Sequence, residues 1–328
     1  MIRRLFMTLA AGAPLLLGAD AALAADDAYP TGLITMVVPY AAGGPTDTVA
    51  RLVAESMSGT LGQQVIVENV AGAGGTLGAG RVAKAEPDGY TLLLHHIGLA
   101  TAPALYRKLR FDPLRDFAPI GLVTEASMTL VSRPDLPAET VAEVLDWVRE
   151  RKDQVTYANA GLGGGSHICG MLLMSALGTQ MTTVPYKGTG PAMTDLMGSQ
   201  VDLMCDQATN TVGPIKGGQI KAFAVTSRER IPALPDLPTL DEAGLKGFEV
   251  TIWHGLYAPT GAPQPVVGRL ATALQTAVQD QKVLARFGDI ATTPVPADRA
   301  TPAVLGEVLA TEVARWRPII EAAGVYAD

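Results

Sequence analysis

Short apolar runs alternate with amphipathic helical segments along most of the chain, and glycine-rich turns separate them. Residues 33–39 form the first apolar run, and Val49, Leu52, Val53 and Met57 then place apolar side chains on one face of a helix. Alternating short strands and helices are typical of α/β proteins, whose parallel sheets are covered on both faces. We therefore predict an α/β fold with mixed, mostly parallel sheets.

The same pattern predicts the approximate bounds of the later elements. Strands are expected at 64–68, 90–95, 117–131, 154–158, 182–185, 201–206, 220–226 and 248–258. Helices are expected at 76–84, 102–106, 138–151, 167–177, 191–197, 264–280 and 302–323.

Two of the extended segments are unusually long and predict the domain organisation. Residues 117–131, with an expected break near Glu125, and residues 248–258 are the natural crossings between two domains. Domain 1 would comprise residues 25–125 and 249–328, and domain 2 residues 126–248. A discontinuous first domain joined by two crossings is the plan of a hinged clamshell.

Residues 1–24 have the pattern of an export signal. Arg3 and Arg4 precede an apolar stretch at 5–18, and the small residues at 22–24 suit a cleavage site. The apolar stretch is short for a membrane span, so we favour a cleaved signal, by the Sec or the twin-arginine route, over an uncleaved anchor. Loss of two Arg and one Asp with this segment would change the formal net charge from −7 to −8. We expect a periplasmic protein, and the absence of ATP and NAD(P)H there argues against kinases and dehydrogenases.

Composition excludes several other classes of protein. The chain has 328 residues, enough for about two domains, and its 48% hydrophobic and 17% charged residues argue against disorder. With 25 Lys and Arg against 32 Asp and Glu, it lacks the basic excess needed for binding nucleic acid.

The chain has two cysteines, which are too few to form a disulfide scaffold. Cys169 and Cys205 lie in apolar elements, so we favour two buried free thiols over a single disulfide.

Glycine-rich turns between strands and helices are the candidates for ligand binding. Such turns occur at 43–47, 72–76, 95–98, 161–167 and 187–190. A helix start offers unpaired N–H groups and a positive dipole end to an anion, and glycine lets the backbone approach a ligand closely. Any one turn could instead be a tight structural connection, so we favour the two richest, 43–47 and 161–167. None is a nucleotide-binding fingerprint.

Two of these turns share a sequence pattern. Val-Pro-Tyr followed by Gly-Pro occurs at 38–45 and again at 184–191, with five identities at equal spacing. If the repeat is not chance, each domain directs a similar turn at the cleft.

Residues suited to catalysis or metal binding form only weak patterns. The chain lacks a G-x-S-x-G motif, and Ser166 and His167 are neighbours at a helix start, so their side chains should diverge. The adjacent His95 and His96 should point to opposite faces of a strand. The spacing of the four histidines favours neither a metal site nor a cofactor. Asp206 ends an apolar strand and is either a helix cap or an acceptor in the cleft.

Several motifs, distributed in order over almost the whole mature chain, resemble the Bug family, the substrate-binding proteins of tripartite tricarboxylate transporters. They are Val38-Pro39-Tyr40 to Asp47, Glu68-Asn69 with 72–75, Pro103-Ala104-Leu105-Tyr106 with Asp112-Pro113 and Asp116-Phe117, 157–167, 184–188, and 198–202 with Asp206.

The resemblance implies a two-domain Venus-flytrap receptor that holds ligand carboxylates through backbone N–H groups and ordered waters. Applied to this chain, the resemblance implies that loops from both domains form the ligand site. Together with the sequence patterns, it makes these residues our candidates: Tyr40, Ala42, Gly43, Gly44, Thr46, His95, His96, Ala160, Gly161, Gly163, Gly164, Ser166, His167, Lys187, Gly188 and Asp206. The loop at 95–101 is bulkier and more apolar than in many relatives, which would suit a larger or aromatic carboxylate.

These observations predict a periplasmic receptor that captures a small organic mono- or dicarboxylate and delivers it to the permease subunits of a tripartite tricarboxylate transporter. We expect a monomer without a stable membrane anchor. The alternatives are a periplasmic sensor or co-receptor for the same ligands and a hydrolase that uses Ser166.

Overall fold

The structure, a computed structural model, describes residues 29–327. The predicted export signal lies outside these residues and stays a prediction. None of the helices in residues 29–327 is long and apolar enough to cross a membrane.

Ten strands in the described residues form one mixed sheet. They are β1 (Ile34–Val38), β2 (Val65–Asn69), β3 (Thr91–His96), β4 (Phe117–Ser132), β5 (Thr156–Asn159), β6 (Thr182–Pro185), β7 (Leu203–Gln207), β8 (Lys221–Val225), β9 (Thr251–Pro259) and β10 (Thr293–Pro294).

Ten α-helices in residues 29–327 pack around this sheet. They are α1 (Pro45–Leu61), α2 (Thr76–Val82), α3 (Gly98–Leu105), α4 (Val141–Arg151), α5 (Gly165–Leu177), α6 (Thr189–Met197), α7 (Ala208–Lys216), α8 (Gln264–Ala277), α9 (Gln281–Asp289) and α10 (Pro302–Ala323).

The order of the strands divides the sheet into two halves that share its central strands. The order is β2-β1-β3-β9-β4-β7-β5-β6, and β8 and β10 both pair with β4. Strands β1, β2 and β3 run parallel in one half, and β5, β6 and β7 run parallel in the other. Strands β4 and β9 pair antiparallel with each other and with their neighbours, so the sheet is mixed as predicted. It is not mostly parallel, because five of the nine pairings in the described residues are antiparallel, and each of the five involves β4 or β9.

Strand β4 physically joins the two halves. Its residues 117–127 pair with β9, and its residues 128–132 pair with β7 and partly with β8. The expected break near Glu125 is absent, because the strand continues while its partner changes between Ser127 and Met128. Register shifts occur earlier, between Pro119 and Thr124. The backbone therefore crosses between the halves without leaving the sheet.

Two helices were missed by the sequence pattern. Helix α7 contains two threonines, Gly213 and Pro214, all of which have low helix propensity, so its stability comes from packing. Helix α9 begins after Asp280, whose carboxylate accepts a hydrogen bond from the backbone N–H of Lys282. This cap divides the helix predicted at 264–280 from a second one and fits the general preference for Asp at helix starts.

The prediction of two free thiols was wrong. Cys169 in α5 and Cys205 in β7 form a disulfide, with their Cα atoms 6.2 Å apart and both residues buried. Two apolar elements that pack against each other brought the cysteines within bonding distance, which spacing along the chain could not reveal. The bond joins the second turn of α5 to the middle of β7, immediately before Asp206.

We predict that replacing both cysteines by serine lowers the stability of the protein by about 2–4 kcal/mol, because the bond closes a loop with a sequence separation of 36 residues. Denaturant unfolding of the wild-type protein and of the Cys169→Ser/Cys205→Ser variant measures this difference. Thiol titration of the denatured, unreduced wild-type protein should detect no free thiol. Two titratable thiols, or equal stability of the two proteins, would contradict the prediction.

Candidate functional site

Four helices begin around one cavity between the two halves of the sheet. The first residues of α1, α5 and α6 line it, together with Asp206 and Gln207, which immediately precede α7. Helix α1 belongs to one half and the other three to the second half, so the cavity depends on both.

None of these four helices has a side-chain cap at its N-terminus. Away from the cavity, a threonine or an aspartate caps α4, α9 and α10, whereas α2, α3 and α8 also lack a side-chain cap, so it is the convergence of the four helix starts that distinguishes the cavity. The first N–H groups of a helix have no partner within it, and the aligned peptide dipoles place partial positive charge there. The cavity is therefore suited to bind an anion without a lysine or arginine in its lining.

The two sequence-related turns, which contribute Gly44 and Thr189 to the cavity lining, contact each other directly. The Ala41 backbone N–H donates to the carbonyl of Lys187 at 2.9 Å. A Cβ atom on Gly190 would lie 2.9 Å from the Ala42 carbonyl oxygen and 3.2 Å from the Gly44 nitrogen. Such close backbone approach requires glycine at position 190. The repeat thus corresponds to a direct contact between the halves.

A second contact between the halves involves the turn at 161–164. The Tyr106 hydroxyl donates to the Leu162 carbonyl at 3.0 Å, and the Thr101 hydroxyl donates to the Gly163 carbonyl at 2.9 Å. Gly161 has a φ of 94°, a conformation that favours glycine. These hydrogen bonds hold the turn that precedes α5 against the opposite half.

An aromatic cluster forms one wall of the cavity. Tyr40 stacks on His96 with ring centroids 4.7 Å apart and meets His95 edge to face at 5.6 Å. The two histidine rings themselves lie 5.2 Å apart, so they do not point to opposite faces as predicted, because the strand ends at His96. Behind them, His254 contacts the hydroxyl groups of Thr46 and Thr124 at 3.2 and 2.9 Å.

Burial keeps all four histidines neutral. It lowers the pKa of His96 to about 3 and that of His167 to about 4. Burial, reinforced by the neighbouring histidines, also lowers the pKa values of His95 and His254 well below the ordinary range. The wall is thus uncharged at neutral pH, and the charges of helix dipoles are poorly screened in such surroundings.

Two carboxylates lie at the cavity in different environments. Burial tends to raise the pKa of Asp47, but hydrogen bonds from Arg51, Asn69 and the Gly43 backbone N–H lower it below the ordinary value. Burial of Asp206 dominates over its hydrogen bonds and raises its pKa to about 6. Asp47 is therefore a paired structural carboxylate, whereas Asp206 has no cationic partner in residues 29–327.

Ser166 and His167 each bond to the backbone of their own loop. The Ser166 hydroxyl accepts a hydrogen bond from the Ala160 N–H at 2.8 Å, and His167 Nδ1 accepts one from the Gly163 N–H at 3.3 Å. No hydrogen bond joins the two side chains within the part of the chain that the structure describes. They therefore brace the turn and do not form a nucleophile and base.

The structure brings seven of the sixteen predicted site residues to the cavity: Tyr40, Gly44, Thr46, His96, Ala160, Ser166 and Asp206. Ala42, Gly43 and Gly188 belong to the contacting turns, Gly161, Gly163 and Gly164 to the braced loop, and His95 lies behind Tyr40. His167 and Lys187 line a separate depression beside Tyr106 and Asn159.

Six lining residues were missing from the prediction: Pro45, Asp47, Met128, Gly165, Thr189 and Gln207. Pro45, Asp47, Gly165 and Thr189 lie within the turns predicted at 43–47, 161–167 and 187–190 but were not among the individual candidates, and Gln207 directly follows the predicted Asp206. Met128 comes from β4, where nothing in the sequence marks it.

We predict that the protein becomes less stable as the pH falls from 6.5 to 4.5. Histidines with a lowered folded-state pKa bind fewer protons when folded, so stability is complete above about pH 6.5 and decreases by up to about 1.4 kcal/mol per pH unit for each. Asp206 acts in the opposite direction below about pH 6 and offsets part of this loss. Denaturant unfolding at several pH values in this range measures how the free energy of unfolding changes with pH.

The free energy of unfolding of the His167→Gln variant should depend less on pH than that of the wild-type protein. The variant lacks one buried histidine that takes up a proton when the protein unfolds. Stability that stays constant or rises on acidification would contradict the assignment of neutral, buried histidines.

The amino-acid sequence matches a known family of receptors. The family described as tripartite tricarboxylate transporter family receptor matches residues 49–325. A protein of Agrobacterium vitis, described as a UPF0065 protein in the TAR-I ttuE-ttuC' intergenic region, is 54% identical over 300 residues, which are 92% of this chain and 87% of that protein.

Solved structures show the same architecture. The periplasmic binding protein BugD is 50% identical, with a TM-score of 0.89 over 92% of this chain and 100% of that chain. MatC from Rhodopseudomonas palustris, with bound malate, is 43% identical, with a TM-score of 0.86 over 89% of this chain and 100% of that chain. The predicted two-domain periplasmic-binding-protein fold is thereby confirmed. The chain belongs to the tripartite tricarboxylate transporter receptor family, whose members are solute-binding receptors and not enzymes.

Proposed function

We propose that this protein captures a small organic carboxylate between its two halves in the periplasm and delivers it to the permease subunits of a tripartite tricarboxylate transporter. The observation that carries the proposal is the convergence of four uncapped helix N-termini on one cavity. Unpaired N–H groups and positive dipole ends bind carboxylates well, particularly where water is excluded.

The negative net charge does not oppose this proposal. The formal charge of −7 is spread over the whole chain, whereas the nearest charges to a bound anion are the helix ends. Asp47 is paired with Arg51, which leaves Asp206 as the one unpaired carboxylate among the described cavity residues. The helix N-termini therefore supply the positive field at the site.

In this proposal the two halves close when ligand binds, and the permease distinguishes the closed form from the open one. The contacts between the turns at 41–44 and 187–190 form only when the halves approach, and a ligand that touches α1 and α5 together favours that state. We place the domain boundaries at 125/126, within β4, and at 248/249, just before β9. A permease would recognise the closed surface.

Relatives support the class of ligand and partner. Malate is bound in MatC, which is 43% identical to this chain, and the family takes its name from a transporter. We further propose that residues 1–24 direct export, which agrees with the periplasmic relatives.

We predict that at least one compound in a panel of mono-, di-, tri- and aromatic carboxylates stabilises the purified protein. A ligand that binds only the folded state adds about 2.7 kcal/mol at 100 times its Kd, so the melting temperature should rise with ligand concentration. Thermal unfolding and titration calorimetry measure the effect. A panel without any stabilising compound would refute the proposed ligand class.

We predict that Gly190→Ala weakens carboxylate binding at least tenfold. The new methyl group would meet the backbone of the opposing turn, so the halves could not close fully. Gly213→Ala is the matched control, because Gly213 also lies in a helix but has open space around its Cα. The control should bind as the wild-type protein does. Wild-type affinity in Gly190→Ala would show that this contact does not accompany binding.

A further inference from the structure

A depression beside the contact between the two halves is lined by residues of both. Tyr106 belongs to one half and Lys187 to the other, and the Tyr106 hydroxyl donates to the Leu162 carbonyl of the opposite half at 3.0 Å. Among the described residues, none lines both this depression and the ligand cavity. The depression is therefore a separate space, and its lining is complete only when the halves are in contact.

Asn159 offers an unused hydrogen-bond donor to this depression. The residue is 1% exposed, and its Oδ1 atom accepts a hydrogen bond from the Gly161 backbone N–H at 2.9 Å. That bond fixes the orientation of the side-chain amide, so Nδ2 points away from Gly161. Within residues 29–327, Nδ2 has no hydrogen-bond partner, and it is not fully enclosed by protein. A group in the depression can therefore accept from it.

His167 offers a second unused donor. The residue is 7% exposed, and its Nδ1 atom accepts a hydrogen bond from the Gly163 backbone N–H at 3.3 Å. Burial lowers the pKa of His167 to about 4, so the ring is neutral at pH 7. A neutral ring that accepts at Nδ1 carries its proton on Nε2. Nε2 has no partner in the part of the chain that the structure describes, and it too is not fully enclosed.

Lys187 adds a positive charge beside these two donors. Its side chain is exposed, and its ammonium group forms no ion pair within residues 29–327. No aspartate or glutamate of the described residues lines the depression, and Asp195 instead accepts from the Tyr186 hydroxyl at 2.6 Å. Two N–H donors and an ammonium group match a carboxylate, whose oxygens accept several hydrogen bonds and bind charged donors most strongly.

We infer that this depression binds one carboxylate group through Asn159, His167 and Lys187, at a site distinct from the ligand cavity. Resting on the proposed function, the carboxylate belongs either to a second molecule of the transported acid or to an acidic side chain of the permease. Because both halves line the depression, a carboxylate bound there favours the closed form of the protein.

The first test uses acetate, the simplest carboxylate probe, on the ¹⁵N-labelled protein. The cavity is first saturated with the tightest-binding acid of the panel, so that acetate reports on the depression alone. The NMR signals of the His167 ring and of the Asn159 side-chain amide should shift saturably with acetate concentration, because both groups donate to it. Sodium chloride at the same ionic strength controls for screening. Signals that do not move saturably would overturn the inference.

Two variants remove one contact each. Asn159→Asp keeps the acceptor for the Gly161 N–H but loses the amide donor, and Lys187→Met removes the charge with little change in length. Each should weaken acetate binding at least about tenfold, as expected for loss of a charge-assisted hydrogen bond. Lys216→Met is the matched control, because Lys216 is exposed and does not line the depression, and it should bind acetate as the wild-type protein does. Wild-type acetate affinity in Lys187→Met and Asn159→Asp would contradict the inference.

A second experiment identifies the source of the carboxylate. Calorimetry with the tightest-binding acid should give two equivalents in the wild-type protein and one in Lys187→Met if the source is the acid itself. If the source is the permease, the wild-type protein binds one equivalent. Lys187→Met then binds the acid with unchanged affinity but supports at least about tenfold slower uptake in cells that carry the permease. One equivalent together with undiminished uptake would mean that the depression holds adventitious acetate only, and would overturn the inference.

Failure of this inference and failure of the proposed function are distinguishable. If no acid of the panel binds, the proposed function fails, and the acetate titration of the unliganded protein still tests the depression. If an acid binds the cavity but the His167 and Asn159 signals do not respond to acetate, the inference fails while the proposed function stands.

Discussion

Helix N-termini from both halves of the molecule direct unpaired N–H groups into the same cavity. Ordinary helix starts are capped by a side chain or open to water, but α1, α5, α6 and α7 lack side-chain caps and begin at a largely buried site. The arrangement leaves donors whose bonding is completed by whatever fills the cavity. An anion held by several such donors forms part of the interface between the halves.

The sheet makes this arrangement possible. Strand β4 runs through both halves, and β9 pairs with its first part, so the two halves are joined by continuous backbone near the cavity. Glycines at the facing turns permit backbone contact, as at Gly190, where a side chain would collide with the opposite turn. Two rigid bodies can thus approach through small changes at the crossings.

The surroundings of the cavity tune its electrostatics. Neutral, buried histidines and Tyr40 form a wall of low polarity, which strengthens the interaction of a bound anion with the helix ends. The disulfide between Cys169 and Cys205 ties α5 to β7, so the start of α5 and the carboxylate of Asp206 keep a defined separation.

Local patterns in the sequence determined much of this protein. Apolar periodicity predicted most strands and helices, and the glycine turns with the repeated Val-Pro-Tyr motif indicated where the halves would meet. Tertiary structure decided the rest. Helix α7 forms against its residues' propensities, the cysteines meet only through packing of α5 on β7, and Met128 and Gln207 reach the cavity through β4 and β7. Neighbours along the chain determine local conformation, whereas a cavity is defined by residues distant in sequence, whose meeting depends on how the elements pack.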